Sequence, residues 1–310
     1  RPQAENSRSA LSDWVGLLLL SSLWGSSYIF YKVLVGTLPP ITLVCGRLAI
    51  AAIMLNIVLS MGRDRASLLD QRLWPRLLVL GALNNALPFC LIAWSEVKLP
   101  AGLAAILGAT VPVFAILVSV VGGIERMTAS RCVAVCVGLV GVAFACRVWD
   151  TGGQPIDPLS ALACLAAALS YAIAGYYSRR FANLPPLAVA TGQITASALL
   201  TLPFSLLIDQ PWRLAMPAFS VWGALLGIGL GSTALAYCIF FNLIRKIGVA
   251  NTVMVAMLVP VTSVLIGHLL LHEPVDANLI TGMILIGCAM LLADGRLVAA
   301  ARRRGMPPSA

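Results

Sequence analysis

One set of landmarks occurs twice along these 310 residues, each time across five apolar stretches. Leu38-Pro39-Pro40 returns as Leu184-Pro185-Pro186, 146 residues on, and Val111-Pro112-Val113 returns as Val259-Pro260-Val261, 148 on. Gly81 returns as Gly229 and Glu125 as Glu273, again 148 on. One match in an apolar chain carries little weight. An ordered series at nearly one offset marks a duplicated unit. If that unit has an odd number of membrane spans, its second copy must lie upside down. Inverted repeats are an architecture of secondary transporters, whose substrate sites lie at the repeat interface near the bilayer midplane.

The composition agrees with spans. Sixty per cent of the residues are hydrophobic, 11% are charged, and the mean hydropathy is +0.94. Two soluble domains, the ordinary expectation for this length, are excluded. Ten stretches are long enough to cross ~30 Å of hydrocarbon. They are 13–35, 41–61, 74–97, 101–122, 129–148, 158–180, 187–208, 217–241, 250–271 and 277–295. The expected organisation is a polar tail at 1–12, a five-helix repeat at 13–149, a linker at 150–157, a second repeat at 158–295 and a basic tail at 296–310. The first dozen residues lack the order of a signal peptide, so the first span is expected to be retained. Pro39, Pro40, Pro100, Pro185 and Pro186 stand where helices begin, a place where a missing N–H costs nothing. Eight cysteines lie mostly in apolar stretches at no zinc or redox spacing and read as small packing residues.

The cations divide by loop. Sixteen of the 21 lysines and arginines lie at the N-terminus or after even-numbered spans. Four (Lys32, Lys98, Arg147 and Arg213) lie at the other end, and Arg47 lies within the second span. By the positive-inside rule both termini are cytoplasmic. Scattered markers of this kind form no single basic patch, so no nucleic-acid partner is expected despite a net charge of +9.

Several polar and aromatic residues fall at mid-membrane. Trp24, Tyr28 and Lys32 follow one helix face at i, i+4, i+8. They read as an aromatic cavity wall with a lysine at its periplasmic end, or as packing with a snorkelling lysine. Arg47 lies about 9 Å into its span at 1.5 Å per residue. It either meets a substrate carboxylate or pins its helix to backbone carbonyls. Asn84, Asn85, Thr110, Tyr171, Thr233 and Tyr237 are further mid-membrane groups, and Thr233, Tyr237 and Phe241 share a face. Pro112 and Pro260 fall mid-span at equivalent positions and predict paired bends that serve as hinges or gates. Gly227 with Gly231, Ala104 with Gly108, and Gly138 with Gly141 are spaced for close helix packing. Glu96, Glu125 and Glu273 stand at span ends, and no carboxylate lies deep. Proton coupling would therefore fall to His268, to deprotonation of a cation or to water, and uncoupled movement is at least an equal expectation.

At these residues a family resemblance becomes visible. Trp24-Gly25-x-x-Tyr28-x-x-x-Lys32, then Pro40 and Arg47, resembles the opening of EamA-type transporters of the drug/metabolite transporter superfamily. Pro112, Glu125-Arg126, Gly138 and Gly141 resemble the close of that repeat, and Pro260 and Glu273-Pro274 the same close in the second copy. The second copy departs at the positions matching Trp24 and Arg47, which are Ser170 and Gln193. The resemblance implies an all-α integral membrane protein of ten helices in two inverted five-helix repeats. It also implies a central cavity lined by spans 1, 3, 4, 6, 8 and 9, and export of small molecules. Within the family the chain is most similar to bacterial inner-membrane exporters of aromatic and neutral amino acids. Trp24, Tyr28, Phe114, Tyr171 and Tyr237 would stack on such a substrate, and Lys32 or Arg47 would meet its carboxylate. Multidrug or nucleotide-sugar transport is the alternative, although a nucleotide sugar should call for more cavity cations than these two. Motifs of a membrane enzyme are lacking, and nothing outside the membrane is large enough for a scaffold or receptor. No cofactor or metal is expected. The expected partners are a small-molecule substrate and membrane lipid, with the chain a monomer or homodimer.

Overall fold

The computed structural model describes residues 2–62, 70–149 and 156–294. The expected tail 296–310, most of the linker 150–157, Arg63 and Arg65 lie outside the described residues, as do the side chains of 1–12. Among the described residues every regular element is a helix. In chain order they form α1 (Pro2–Leu34), α2 (Pro40–Met61), α3 (Gln71–Ser95), α4 (Ala101–Val121), α5 (Ala129–Ala145), α6 (Pro158–Phe181), α7 (Pro186–Asp209), α8 (Phe219–Ile247), α9 (Val255–Leu271) and α10 (Ala277–Asp294). Seven are long and apolar enough to cross a membrane, while Ala129–Ala145, Val255–Leu271 and Ala277–Ala293 are shorter apolar helices. The outward face is a lattice of large apolar side chains, among them Ile53, Ile57, Leu139, Leu199, Leu265 and Leu269. Such a surface suits lipid.

Local chemistry sets the helix ends. Prolines open α2, α6 and α7 within their first turns. Asp157 caps α6, its carboxylate accepting from the N–H of Ser160 at 2.9 Å and from its hydroxyl at 2.7 Å. Its carboxyl is lowered to about 2, first by the hydrogen bond from Lys98 and then by those from Ser160.

The contacts between helices follow the duplication. The first helix of each half packs against the third and fourth of the other: α1 against α8 and α9, α6 against α3 and α4. Matching helices also meet each other, as α2 with α7, α4 with α9 and α5 with α10. Small residues set the last seam. A Cβ placed on Gly282 would stand 2.7 Å from the Cβ of Ala145, and one on Gly141 would stand 2.9 Å from the Ile286 side chain. Gly138 faces Val113 of α4 as well as Ala289 of α10.

One expected bend differs from the structure. Pro112 does not kink a continuous helix. α4 is already broken at Ala109–Thr110 into Ala101–Gly108 and Val111–Val121, and Pro112 falls in the first turn of the second piece. There its missing N–H deprives no intrahelical bond. Thr110 turns its hydroxyl back to the Leu107 carbonyl at 2.6 Å at the break. Pro260 does lie inside α9, yet that rod is also interrupted six residues earlier, between Val249–Thr252 and Val255–Leu271.

Candidate functional site

The centre of the molecule is a buried arginine. Arg47 on α2 is 4% exposed. Its Nε donates to Thr233 Oγ1 at 2.9 Å and its Nη1 to the Tyr31 hydroxyl at 2.6 Å. The guanidinium carbon lies 3.8 Å from the ring centre of Phe89 and 5.1 Å from that of Tyr31. Thus Arg47 is held by hydroxyls and aromatic faces, and not by the backbone carbonyls that a pin would use. A planar guanidinium can stack and fork its donors simultaneously, which an ammonium cannot. Tyr31, seven residues past Trp24 and three past Tyr28, shares their side of α1; only the arrival of Arg47 from α2 gives its hydroxyl a role.

The second copy holds a neutral counterpart of this node. Gln193 matches Arg47, and its Oε1 accepts from Asn84 Nδ2 at 3.2 Å. Asn84 and Thr233 sit in matching stretches of α3 and α8, both wound as wide π turns, at Ala82–Ala86 and Gly227–Leu235. π turns occur often at functional sites. Ser170, the match of Trp24, donates to the Leu83 carbonyl at 2.7 Å and fixes the first of these turns. The recurring glycines now have a reason. A Cβ on Gly81 would lie 2.6 Å from the carbonyl oxygen of Gln193, and one on Gly229 would lie 3.2 Å from that of Arg47 and 2.7 Å from Ile50. Each π turn therefore rests directly on the backbone beside its matching polar residue. Gly81→Leu and Gly229→Leu are expected to lose at least about 1–3 kcal/mol through overpacking. Gly175→Leu and Gly223→Leu, whose added Cβ meets nothing within 4 Å, should unfold as the wild type does. Thermal unfolding of the four variants in one detergent checks the difference.

Aromatic rings run beside the node. Trp24 meets Phe240 at 5.4 Å, Phe240 meets Phe241 edge-on at 5.4 Å, and Phe241 stacks with Tyr237 at 6.0 Å. The Tyr237 hydroxyl donates to Asn85 Oδ1 at 3.3 Å. Asn85 is fully buried, and its Nδ2 finds no partner among the described residues. Tyr28 and Tyr171 pack half-buried on the same apolar core as Tyr237, with the Tyr28 hydroxyl over Gly108. Phe114 is half-buried on the second piece of α4. His268 departs from the set: it is exposed, with Nδ1 3.0 Å from the Glu273 carbonyl oxygen.

The two ends of the bundle differ. At the end that carries Pro100, spans and loops are clamped together. Lys32 Nζ donates to the carbonyls of Glu96 and Leu99, both at 2.9 Å, so the lysine expected at the cavity mouth grips the α3–α4 turn instead. Glu273, from the loop after α9, accepts the N–H groups of Ala101 at 2.7 Å and Gly102 at 3.1 Å. Those donors open α4 and have no partner within the helix. Asp209 takes the N–H and hydroxyl of Thr42, Lys98 pairs with Asp157 at 2.8 Å, and Arg147 pairs with Asp276. At the end that carries Arg131, Glu125 is exposed and pairs with nearby Arg131 at 2.9 Å.

A cavity of about 330 Å³ opens at the Arg131 end, between Pro112, Ala115, Ile116 and Ser119 of α4, Met254 and Met257 at the start of α9, and the end of α10. Glu125 stands on its wall. At the Pro100 end a pocket of only about 40 Å³ is lined by Val264, Glu273 and Ala145 among others. These three are the repeat matches of Ile116, Glu125 and Ala293, all in the larger cavity. The two cavities thus share three matched positions, and the one at the Arg131 end is the larger. Of the residues expected to contact substrate or gate it, only Pro112 lines the open cavity; the aromatic set and the Arg47 node do not.

Seven helices long and apolar enough to cross a membrane, with three shorter apolar helices packed among them, define an integral membrane protein. The chain belongs to the EamA-like transporter family, whose pattern it matches twice, over residues 13–147 and 158–293. It is 25% identical over 282 residues to the uncharacterized transporter YoaV of Bacillus subtilis, covering 90% of this chain and 95% of that one. It is 28% identical to a probable terminal-alkyne amino-acid exporter of Streptantibioticus cattleyicolor, covering 91% and 94% of the two chains. It is 27% identical to the uncharacterized inner membrane transporter YedA of Escherichia coli K12, covering 84% and 83%. A solved crystal structure with 23% identity superposes with a TM-score of 0.64 over 97% of this chain and has the same fold.

Proposed function

We propose that this chain exports small metabolites across a bacterial inner membrane by alternating access, with all ten helices crossing and both termini cytoplasmic. The carrying observation is the matched pair of cavities, about 330 Å³ at one end and about 40 Å³ at the other. In an inverted repeat, exchanging the conformations of the two copies exchanges which end is open. The 16-to-4 division of cations supports a cytoplasmic open end. The structure then corresponds to an inward-facing state.

The favoured substrates are aromatic and neutral amino acids. Rings from Trp24 to Tyr237 supply stacking surface. Lys32 and Arg47 are both engaged internally, so the substrate carboxylate falls to the unpartnered amide of Asn85. The relative in Streptantibioticus, named as an amino-acid exporter, supports the same class. The engagement of both cations also favours a second reading, an aromatic drug without a carboxylate.

Purified protein in liposomes tests the proposal with a panel of radiolabelled amino acids. Saturable uptake of Trp, Phe, Tyr or Met, lost in Asn85→Ala, supports the amino-acid reading. Efflux of aromatic cations without amino-acid flux replaces it with the drug reading. Flux of neither class overturns transport of both.

A further inference from the structure

We propose that Glu96 is a proton-binding carboxyl that links proton uptake to closure of the Pro100 end. The inference rests on the alternating-access reading and adds a protonation-controlled latch to it. Glu96 follows directly on α3, at the start of the turn into α4, and is 0% exposed. Neither Oε1 nor Oε2 has a hydrogen-bond partner among the described residues. Lys32 makes this informative. Its ammonium bonds the backbone carbonyl of Glu96 itself, and that of Leu99, while leaving the Glu96 carboxyl unengaged. A carboxylate in a dry interior attracts an ammonium far more strongly than a carbonyl does. The lysine's choice is that expected beside a neutral carboxylic acid.

The surrounding groups fit. Tyr28, Tyr31 and Lys32 of α1, Arg47 of α2, Cys164 of α6 and Glu273 face Glu96. Of the two cations, Arg47 is held by Tyr31 and Thr233 and Lys32 by the two carbonyls. Glu273 opposes a second negative charge beside it. The exchange balances. When the Pro100 end opens, the Glu96 O–H bond breaks and its proton passes to water. The Lys32 ammonium then transfers from the two carbonyls to the new carboxylate, freeing the α3–α4 turn. Uptake of one proton from the same side reverses both steps, returns Lys32 to the carbonyls and shuts that end. In this scheme the proton site is one residue past α3.

Infrared titration of the full-length protein in lipid, with its glutamates carrying a 13C carboxyl label, reads the site without any substrate. The chain has only four glutamates, Glu5, Glu96, Glu125 and Glu273. The expected result is a label-shifted protonated-carboxyl band at pH 7 that disappears in Glu96→Gln. The absence of such a band in the wild type overturns the proposal, and that reading does not require the variant to fold. A band retained in folded Glu96→Gln overturns it as well. In liposomes, flux by the wild type should change with the pH on the Pro100 side and flux by Glu96→Gln should not; equal responses contradict the proposal. If the wild type moves no substrate while the Glu96 band is present, the transport reading fails and the proton site stands.

Discussion

Arg47→Ala should be the most damaging single substitution in the protein. It strips the Tyr31 hydroxyl, a buried group, of its guanidinium partner and removes a donor to Thr233. A buried polar group left unsatisfied costs about 1–3 kcal/mol. The guanidinium also fills the space against the Phe89 ring, and truncation of a large buried side chain leaves a cavity that costs about 2–5 kcal/mol. These terms overlap, and a net loss of about 3–5 kcal/mol is expected. Arg47→Lys keeps the charge but cannot fork to Thr233 and Tyr31 while lying flat on Phe89, so it should recover less than half of the loss. Gln193→Ala removes one neutral bond at the matching position and should cost about 1 kcal/mol. Thermal unfolding of the three variants measures the ranking. An Arg47→Ala protein that unfolds with the wild type yet transports nothing would instead make Arg47 a substrate ligand.

Glu273→Ala should open the Pro100 end. Its carboxylate accepts two N–H groups at the start of α4, where the helix dipole favours negative charge. Hydrogen bonds to charged groups contribute about 1.5–3 kcal/mol each. Losing both, with partial compensation by water, should shift the closed-to-open ratio by about 3 kcal/mol, or roughly a hundredfold. Spin labels at Lys98 and Val275, both exposed near this clamp, should show a longer second distance in Glu273→Ala that is rare in the wild type. Glu125→Ala should leave that distance distribution unchanged. Its exposed pair with Arg131 lies at the other end, and exposed ion pairs contribute about 0–1 kcal/mol. An unaltered distribution in Glu273→Ala would make the contact a helix cap with no role in gating.

What the sequence revealed depended on whether the cause was local. The duplication needed only matched landmarks, and its glycines marked real points of contact: Gly81 and Gly229 each touch backbone beside a matched polar residue of another helix. Helix starts were readable because proline at the first turn has a local cause. Pro112 misled because mid-span position does not reveal that the helix has already ended at Thr110. The partners of Arg47 lie on α1, α3 and α8, and no periodicity within α2 encodes them. Glu96 was hidden for a different reason. Position at a span end suggests exposure, yet the clamps from Lys32 and Glu273 fold that end shut over it. His268 had the right chemistry, but its side chain is exposed.

Accessibility of two matched positions tests alternating access most directly. Ala115 lines the open cavity and Ser263, its match 148 residues on, is fully buried. Ala115→Cys and Ser263→Cys would be placed singly in a chain without its eight native cysteines and probed with an impermeant maleimide from each side of sealed vesicles. Without substrate, Ala115→Cys should react from the Arg131 side alone and Ser263→Cys should be protected. During turnover with an aromatic amino acid, Ser263→Cys should become reactive from the opposite side while Ala115→Cys slows. Reaction of both from the same side, or flux with Ser263→Cys still protected, would contradict the account.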